Sequence, residues 1–398
     1  MTSITDYREI APKGTVDFIS RMAERAKGRR FLHVSATRYG GGVAEILQRM
    51  GPMLSELGVE ASWEVITGNP LFYRTTKALQ QALQGTEQVI TDEMFEAYQT
   101  VNRDNARRLP LEADLVLVHD PQPAALVEHR GAGGRWVWRC HVDVSTPQRR
   151  VWSFLRRFVV RYDAAVFSLP RFAPTLPIPL YLVYPSIDPL ADKNRRLSRQ
   201  EVDATLDRLG VPRDKPLLLQ VSPFDRAQDP IGVINAFRLV RRHNDCRLVL
   251  AGSGAVDDPE GTALLAEVRD AAGRDPDIQV LELPPEAHLE INALQRAATV
   301  VLQKAVREGF PLTVAEGMWK GKPVIGGASA GITAQIIHDV TGYIVHSPEG
   351  AAFWLRYLLN NPEASSRLGG AGREHVRRNF LITRHLADYL TLLTRLVR

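Results

Sequence analysis

The sequence predicts an α/β fold of two Rossmann-like, doubly wound domains that face each other across a ligand cleft. A length of 398 residues is large for a single hydrophobic core. Short apolar runs of strand length alternate with helical patterns in both halves of the chain, as in parallel sheets. A proline-rich passage, residues 170–189, interrupts the alternation and marks a hinge. We therefore expect an N-terminal domain over residues 1–185, a C-terminal domain over residues 186–375, and a terminal segment, 376–398, whose helix returns to the first domain.

The N-terminal half contains apolar runs that end in polar residues or turns. The predicted strands cover residues 30–36, 59–66, 115–120, 136–143, 164–168 and 181–184. Residues 1–28 read as a helical lead-in, and the predicted helices after it cover residues 44–57, 72–84 and 92–109. A further, arginine-rich helix runs to Tyr162, with Pro147 at its first helical position, where a missing N–H does no harm.

The C-terminal half resumes the alternation after a polar helical segment, residues 198–209. Its predicted strands cover residues 217–221, 247–251, 278–281, 299–303 and 324–325, and terminal helices cover residues 373–380 and 385–396. In parallel α/β sheets, ligands bind beyond the carboxyl ends of the strands. Polar residues at those ends are therefore the candidates for a site.

The composition is that of an ordinary globular protein, with 44% hydrophobic and 24% charged residues. Either a phosphate-bearing ligand or a solvated arginine-rich surface explains the formal net charge of +5. No basic run with an aromatic platform is present, so the sequence does not predict nucleic-acid binding. Cys140 and Cys246 lie in apolar strand-like runs, which favours buried thiols over a disulfide or a metal site. Without a signal-peptide pattern or a membrane-length apolar run, the expected location is cytoplasmic.

Two glutamates, Glu308 and Glu316, stand eight positions apart on a predicted strand–loop–helix unit. Glu308 follows the strand at residues 299–303, close to its carboxyl end, and Glu316 lies on the helix that comes next. Each carboxylate can accept hydrogen bonds from two vicinal hydroxyls. The pair predicts a site for a polyhydroxylated ligand. The alternative is an ordinary strand–loop–helix unit with two unrelated glutamates.

Other candidate groups follow strands of the N-terminal half. A glycine run at residues 40–42 joins the first strand to a helix and would expose backbone N–H groups to an anion. The alternative is a tight turn that needs positive φ. His119 and Asp120 end one predicted strand, and His141 and Asp143 end another. For His141, the alternative is a strand-end histidine that bonds only to the backbone.

The chain resembles the retaining, two-domain glycosyltransferases of the glycogen-synthase-like superfamily, family four. Within them it is most similar to the trehalose synthases of the glycosyltransferring type. The resemblance covers most of the chain and rests on residues 40–45 (GGGVAE), 119–123 (HDPQP), 138–143 (WRCHVD), 257–261 (DDPEG), 292–297 (NALQRA), 308–316 (EGFPLTVAE) and 318–327 (MWKGKPVIGG).

The resemblance implies the GT-B architecture and a defined reaction. Such enzymes transfer glucose from a nucleoside-diphosphate glucose, such as UDP-glucose, to free glucose and form α,α-trehalose with retention. The implied partners are these small molecules, with neither nucleic acid nor membrane, and a homodimer stays open. No cofactor and no metal are expected.

The resemblance also assigns roles to residues that match the family pattern. His141, beside the reacting sugar, and Glu308, at the transferred sugar, are the implied catalytic residues. Residues with an implied donor-binding role are Gly41, Gly42, Arg226, Phe310, Leu312 and Glu316. Those with an implied acceptor-binding role are His119, Asp120 and Asp143.

Three departures from the family pattern fall on the donor side of the implied site. Pro223 and Gln228 stand where the family carries an arginine and a lysine, which neutralise the departing diphosphate. Pro311 replaces a glycine; it suits the first position of a helix but has no N–H for a sugar hydroxyl. Gln228 is expected to be exposed, and Arg226 is the nearest replacement cation. Because leaving-group stabilisation carries most of the expected catalysis, reduced activity is expected.

Three functions remain open on the sequence. The first is a trehalose-forming glucosyltransferase with an altered diphosphate site. The second is an enzyme like the retaining trehalose phosphorylases. The third is a weakly active, glycosyltransferase-like sugar-binding protein. All three stay open because a fold alone does not determine the function.

Overall fold

The computed structural model describes residues 2–39, 41–253 and 259–397, and only the backbone at residues 259–260. Gly40 of the glycine run and Asp257 and Asp258 of the family resemblance lie outside the described residues. The chain forms two compact units. Unit 1 comprises Met1–Ser186 and Ile382–Arg398, and unit 2 comprises Ile187–Leu381.

Parallel strands form the centre of each unit. The strands of the described residues are, in chain order, β1 (Arg30–Ser35), β2 (Glu60–Val65), β3 (Leu115–His119), β4 (Arg135–Cys140), β5 (Ala164–Phe167), β6 (Leu180–Leu182), β7 (Leu217–Val221), β8 (Arg247–Gly252), β9 (Ile278–Glu282), β10 (Val300–Gln303), β11 (Val324–Gly327) and β12 (Tyr343–Val345).

Helices connect these strands. The α-helices of the described residues are α1 (Thr15–Ala26), α2 (Gly41–Glu56), α3 (Pro70–Leu83), α4 (Asp92–Arg108), α5 (Arg149–Val159), α6 (Arg199–Arg208), α7 (Pro230–Arg241), α8 (Pro259–Ala272), α9 (His288–Ala297), α10 (Leu312–Trp319), α11 (Ala330–Thr333), α12 (Pro348–Asn360), α13 (Pro362–Asn379) and α14 (Ile382–Leu396). Short 3-10 turns lie at Ile4–Tyr7, Ala124–His129, Pro170–Phe172 and Arg226–Gln228.

The sheet of unit 1 is parallel, with the strand order β2-β1-β3-β4-β5-β6. The order reverses between β1 and β3, which are neighbours although β2 separates them along the chain. In their register His33 pairs with Leu117, and in the β3–β4 register His119 pairs with Arg139. All five residues of β3 are buried, as expected for a parallel strand that is covered on both faces.

The sheet of unit 2 is also parallel, with the order β12-β11-β10-β7-β8-β9. Here the order reverses between β10 and β7. Leu218 on β7, Leu248 on β8 and Leu302 on β10 belong to one buried apolar cluster. The prediction of two successive doubly wound parallel domains is therefore confirmed, and the reversal points are where such sheets bind ligands.

Local chemistry explains where several helices begin. At the start of α3, the side chain of Asn69 accepts a hydrogen bond from the N–H of Phe72, and Pro70 is the first helical residue. At the start of α6, Ser198 and Glu201 form a capping box. Pro147 differs from its prediction. It precedes α5, which begins only at Arg149.

Other differences concern short or terminal elements. β12 spans three residues, too few for a recognisable pattern in the sequence. Helix α13 continues to Asn379, so residues 376–381 stay with unit 2, and α14, which packs against α1, belongs to unit 1. Cys140 and Cys246 are buried free thiols, as predicted. None of the helices in the described part of the chain is long and apolar enough to cross a bilayer.

Candidate active site

The chain turns sharply at Asp120, directly after His119 ends β3. Asp120 has a φ of 66°, in the left-handed region that aspartate tolerates better than most residues. Its N–H donates to the Arg139 carbonyl at 2.7 Å, and its Oδ1 accepts the N–H of His141 at 2.8 Å. The Trp138 indole N–H donates to the Asp120 carbonyl at 3.0 Å. The turn ties the ends of β3 and β4 together, so His119, Asp120 and His141 lie side by side.

Three imidazole rings form a hydrogen-bonded row across this part of unit 1. His33 Nδ1 lies 3.0 Å from His119 Nε2, and His119 Nδ1 lies 3.3 Å from His141 Nε2. Successive rings are stacked, with centroids 5.3 Å and 5.6 Å apart. His33 was not among the sequence-predicted site residues. It joins the row because β1 lies beside β3.

Burial decides the charge of these groups. It lowers the pKa of His33 to about 3 and holds the pKa values of His119 and His141 well below the usual value, because a dry environment disfavours imidazolium. All three rings are therefore neutral at neutral pH. Burial also raises the pKa of Asp120 to about 6, although the N–H of His141 and the charge of Arg139 oppose this shift.

A fully buried arginine, Arg139, lies behind the row and was missed by the sequence reasoning. Its guanidinium donates to the Val183 carbonyl at 2.7 Å and to the Ser168 hydroxyl at 3.3 Å. Its charge acts on Asp120 and on Tyr389 of α14. No sequence signal pointed to it, because its partners come from four separate parts of unit 1.

The remaining predicted residues of unit 1 lie on turns. Gly41 has a φ of 78°, which requires glycine, although a Cβ there would meet no atom within 4 Å. Gly41 and Gly42 open α2, where the first N–H groups have no helical acceptor. Asp143 is half-buried, and its Oδ1 accepts the N–H of Ser145 at 2.9 Å. These positions stay predictions as donor or acceptor contacts.

In unit 2, Glu308 follows β10 and is half-buried. Its Oε2 accepts the Gln228 amide at 2.6 Å, and its Oε1 accepts the N–H of Gly309 at 3.0 Å. Burial raises the pKa of Glu308, and these two donors counteract the shift. The carboxylate is thus fixed by two neutral donors from the chain itself.

Gln228 belongs to a row of amides at the point where the sheet order reverses. Its Oε1 accepts the Gln303 amide at 2.6 Å, and Gln303 Oε1 accepts the Thr313 hydroxyl at 3.1 Å. The Gln220 amide donates to the Gln228 carbonyl at 3.0 Å. The expectation that Gln228 is exposed is wrong, since only 6% of the residue is accessible. Its side chain is needed inside the unit to orient Glu308.

Glu316 is almost completely buried, at 1% exposure. Its Oε1 lies 3.1 Å from the ammonium of Lys193, and its Oε2 accepts the Gln295 amide at 3.3 Å. Nearby, the Lys320 ammonium donates to Asn194 Oδ1 at 3.0 Å, and burial lowers the pKa of Lys320 to about 7. Sequence reasoning missed Lys193, which lies far from Glu316 along the chain. Any ligand hydroxyl at Glu316 must share or replace these contacts.

The cations near the altered positions are already paired. Arg226 is exposed, and its guanidinium lies 2.5 Å from Glu267. Lys304, at the end of β10, is buried and forms an ion pair with Asp229. Pro223 is exposed in the turn after β7. Arg226 therefore stays a predicted phosphate contact whose charge is partly neutralised by Glu267.

The loop between β10 and α10 carries the last predicted residues. The ring of Phe310 packs edge-on against Phe380, with centroids 5.6 Å apart. Helix α10 begins at Leu312, so Pro311 occupies the capping position and not the expected first helical position. A Cβ on Gly331 would come within 1.7 Å of the Gly309 carbonyl, so only glycine fits beside this loop.

In the part of the chain that the structure describes, no group of three or more His, Cys, Asp and Glu side chains is placed to hold a metal ion. The polar groups instead gather at the reversal point of each sheet. These are β1/β3 with the imidazole row in unit 1, and β10/β7 with the amide row and Glu308 in unit 2.

Family models match both halves of the chain. Residues 33–174 match the N-terminal domain of trehalose synthase, and residues 202–375 match the group 1 glycosyl transferases. A trehalose synthase from Pyrococcus horikoshii is 45% identical over 99% of this chain and 96% of its own length. A trehalose phosphorylase from Grifola frondosa is 27% identical and aligns over 88% of this chain but 54% of its own length.

A solved structure supports the fold. The UDP-forming α,α-trehalose-phosphate synthase from Burkholderia xenovorans matches with a TM-score of 0.74 at 15% identity, over 92% of this chain and 99% of that chain. At this identity the match shows the fold alone, and it confirms the predicted GT-B class. The sequence similarity runs through both units and over nearly the whole length. The chain is therefore a glycosyltransferase that belongs to the trehalose synthase family.

Proposed function

We propose that this protein is a retaining glucosyltransferase that forms α,α-trehalose from a nucleoside-diphosphate glucose and glucose. The observation that carries the proposal is the carboxylate pair Glu308 and Glu316 on the β10–α10 unit, at the reversal point of the unit 2 sheet. Carboxylates there suit ligands with several vicinal hydroxyls. The full-length similarity to trehalose synthases supports the same function.

On the donor side, Glu308 accepts hydrogen bonds from the hydroxyl groups of the transferred glucose. Its orientation is supported by the Gln228 amide at 2.6 Å and the Gly309 N–H at 3.0 Å. The backbone N–H groups of Phe310 and Leu312 donate hydrogen bonds to the same sugar. Pro311, which lies between them, has no N–H and cannot donate. Glu316 holds the ribose hydroxyls.

In this proposal the diphosphate binds to backbone N–H groups and to a side-chain cation. The open N–H groups at Gly41 and Gly42 begin α2, whose positive dipole end favours an anion. Arg226 supplies the nearest side-chain cation, in competition with its partner Glu267. No further cation is assigned to the leaving group. We therefore expect a low kcat for trehalose synthesis, whereas sugar binding is intact.

On the acceptor side, Asp120 and Asp143 line the pocket for free glucose, His119 supports them from the buried row, and His141 lies beside the reacting sugar. The C1–O bond to the diphosphate breaks, and its electron pair leaves with the diphosphate. The acceptor hydroxyl oxygen forms the new C1–O bond with retention. The acceptor proton passes to the departing diphosphate, so no protein base is assigned.

The test is a set of initial rates with several nucleoside-diphosphate glucoses and glucose as acceptor. We expect trehalose, identified by its α,α linkage in the NMR spectrum, with one equivalent of nucleoside diphosphate released. Calorimetric titration with nucleotide sugar and with trehalose accompanies the rates. Phosphate-dependent release of glucose 1-phosphate from trehalose, without nucleotide binding, would instead indicate a phosphorylase. Trehalose binding without either reaction would indicate a sugar-binding protein.

A further inference from the structure

His33 is a buried histidine to which the proposed reaction assigns no role. It is only 3% exposed, and Phe31 and Tyr389 hold its ring, with centroids 4.3 Å and 5.8 Å away. Its Nδ1 begins the row that continues through His119 to His141. A ring so restrained can transmit a defined hydrogen-bond direction along the row.

Each neutral imidazole carries one proton, so the row has two self-consistent arrangements. In the first, His33 Nδ1–H donates to His119 Nε2, and His119 Nδ1–H donates to His141 Nε2. His141 then carries its own proton on Nδ1. In the second, every donor and acceptor is reversed, and His141 Nδ1 has a lone pair. Every mixed arrangement loses at least one of the two hydrogen bonds.

The environment of His33 Nε2 distinguishes the two arrangements. This atom is fully buried and has no hydrogen-bond partner among the described residues. The second arrangement would place an N–H there without an acceptor. Unpaired buried N–H donors are the rarer defect in folded proteins, whereas an unused lone pair is better tolerated. The first arrangement is therefore the favoured one.

At the other end of the row, His141 is half-buried. Its Nε2 is engaged by His119, and within the described residues its Nδ1 has no hydrogen-bond partner. The tautomer of the row therefore determines whether His141 Nδ1 presents an N–H donor or a lone pair to a ligand. Burial keeps the pKa values of all three histidines low, so the row stays neutral and its direction is set by hydrogen bonding.

We propose that His33 and His119 are positioning residues that fix the proton of His141 on Nδ1, so that His141 presents an N–H donor to the sugar. The contact with sugar rests on the proposed function, whereas the direction of the row does not. A donor at this position hydrogen-bonds a sugar oxygen and cannot accept its proton. This agrees with a reaction in which the departing diphosphate takes the acceptor proton.

The direction of the row can be measured on the ligand-free protein. Long-range proton–nitrogen NMR of protein with ¹⁵N-labelled histidine reports which ring nitrogen carries the proton. The His141 signals are assigned by their disappearance in His141→Gln. We expect His33, His119 and His141 all to be protonated on Nδ1 at neutral pH. Protonation of His141 on Nε2 would overturn the proposal.

Two variants of His33 separate the hydrogen bond from packing. His33→Phe fills the space but removes the donor, so His119 is free to reverse and His141 loses its fixed Nδ1 proton. His33→Asn keeps an N–H near the position of Nδ1 and should keep the tautomer of His141. Phe31→Leu is the matched control, since it removes a ring that packs on His33 and leaves the row intact. A His141 tautomer that survives His33→Phe would also overturn the proposal.

Activity provides the second readout. We expect His33→Phe to lower kcat by roughly tenfold or more, as incorrect tautomers of active-site histidines do. The donor KM should change little, and His33→Asn should recover most of kcat. An unchanged kcat in His33→Phe, despite a reversed tautomer, would refute the role of the Nδ1 proton. If the tautomers are as expected but no glucosyl transfer occurs from any donor, the proposed function fails while the directed row stands.

Discussion

At the scale of single residues, the contacts of Glu316 make its role testable. We predict that Glu316→Ala weakens nucleotide-sugar binding by about tenfold or more, because charge-assisted hydrogen bonds contribute roughly 1.5–3 kcal/mol each. Glucose binding should change far less. Calorimetric titration of both ligands is the measurement. Glu316→Gln preserves the volume of the buried side chain and keeps one oxygen for the half-buried Lys193, so it separates the loss of the carboxylate from the creation of a cavity.

Glu290→Ala provides a second control for this prediction. Glu290 lies in the same unit and pairs with Arg208 on the surface, so its removal should leave both affinities unchanged. Equal weakening of glucose and nucleotide binding by Glu316→Ala would argue against a ribose contact.

The proposed diphosphate site gives a second residue-scale prediction. We expect Pro223→Arg with Gln228→Lys to raise turnover in trehalose synthesis, because two cations then clamp one leaving group. Each change alone should raise turnover less, since such groups act as a unit. Because Gln228 is buried, the change to lysine also lowers the stability of the fold. Lysine cannot accept the Gln303 amide, and an unmet buried donor destabilises the fold by roughly 1–3 kcal/mol.

Initial rates and thermal unfolding of the single and double variants are the measurements. Arg226→Ala is the control for the cation that this chain already has. It should reduce the residual activity of the parent protein strongly and that of the double variant less. A parent enzyme that is fast and indifferent to Arg226→Ala would show that the diphosphate lies elsewhere.

The raised pKa of Asp120, about 6, predicts a pH dependence of stability. The native state keeps this proton to higher pH than the unfolded chain, so ionisation costs stability as pH rises from about 4 to about 6. The cost is on the order of 3 kcal/mol, because the pKa rises from its ordinary value of 3.8 to about 6. Asp120→Asn removes the ionisation, keeps an oxygen for the N–H of His141, and tolerates the φ of 66°.

Thermal unfolding at pH 4 and pH 7 measures this effect. The melting temperature of Asp120→Asn relative to the parent should increase from pH 4 to pH 7. Asp17→Asn, which alters an exposed carboxylate paired with Arg8 in the same unit, is the control. A difference that is the same at both pH values would contradict a buried, reluctantly ionised Asp120.

At the scale of elements, the close approach of α13 to the end of α10 requires a glycine at position 369. A Cβ on Gly369 would come within 2.0 Å of the Gly321 carbonyl, just after α10 ends, whereas a Cβ on Gly370 would meet no atom within 4 Å. We predict that Gly369→Ala destabilises the protein by roughly 1–3 kcal/mol through overpacking. Because α10 carries Glu316, nucleotide-sugar affinity should fall as well.

Gly370→Ala is the matched control one position away. It replaces an exposed helical glycine and should stabilise the protein by about 0.5–1 kcal/mol. Chemical denaturation and calorimetric titration of the two variants are the measurements. If both variants behave alike, the close approach of α13 to the end of α10 is not what limits residue 369.

At the scale of the whole molecule, the two units differ in their continuity. Unit 2 is one stretch, Ile187–Leu381, whereas unit 1 needs the terminal residues Ile382–Arg398. In unit 1, α14 packs on α1, buries Leu390 completely, and places His385 Nδ1 3.0 Å from the Ser186 hydroxyl. We predict that residues 187–381 fold alone, that residues 1–186 do not, and that linking 382–398 to 1–186 restores folding.

Circular dichroism and cooperative thermal unfolding of the three fragments test this prediction. A fragment of residues 1–186 that unfolds cooperatively at the same temperature as the linked form would mean that α14 adds little to unit 1. Leu390→Ala in the full chain gives a milder test, with an expected loss of about 2–5 kcal/mol.

The fold class and the positions of most candidate residues along their strands and helices could be predicted from the sequence. Alternation of strands and helices is a local pattern, and it was sufficient to predict two parallel sheets. Glu308 after β10 and His119 at the end of β3 are positioned by their own segments, so their places could be read without a structure. Strand β12 was not predicted, because three residues are too few to show a period. The predicted start of α5 is wrong, because Pro147 suits a first helical position but the helix begins at Arg149.

Which side chains contact one another became visible only in the folded units. His33 joins His119 because the strand order places β1 beside β3, and Lys193 reaches Glu316 from a distant loop. Gln228 is buried because Gln303 and Glu308 converge on it. Such contacts depend on the order of the strands in each sheet and on the pairing of buried charged groups. Neither property produces a periodic pattern in the sequence. The strands can therefore be predicted from the sequence, whereas the partners within each site depend on the tertiary fold of each unit.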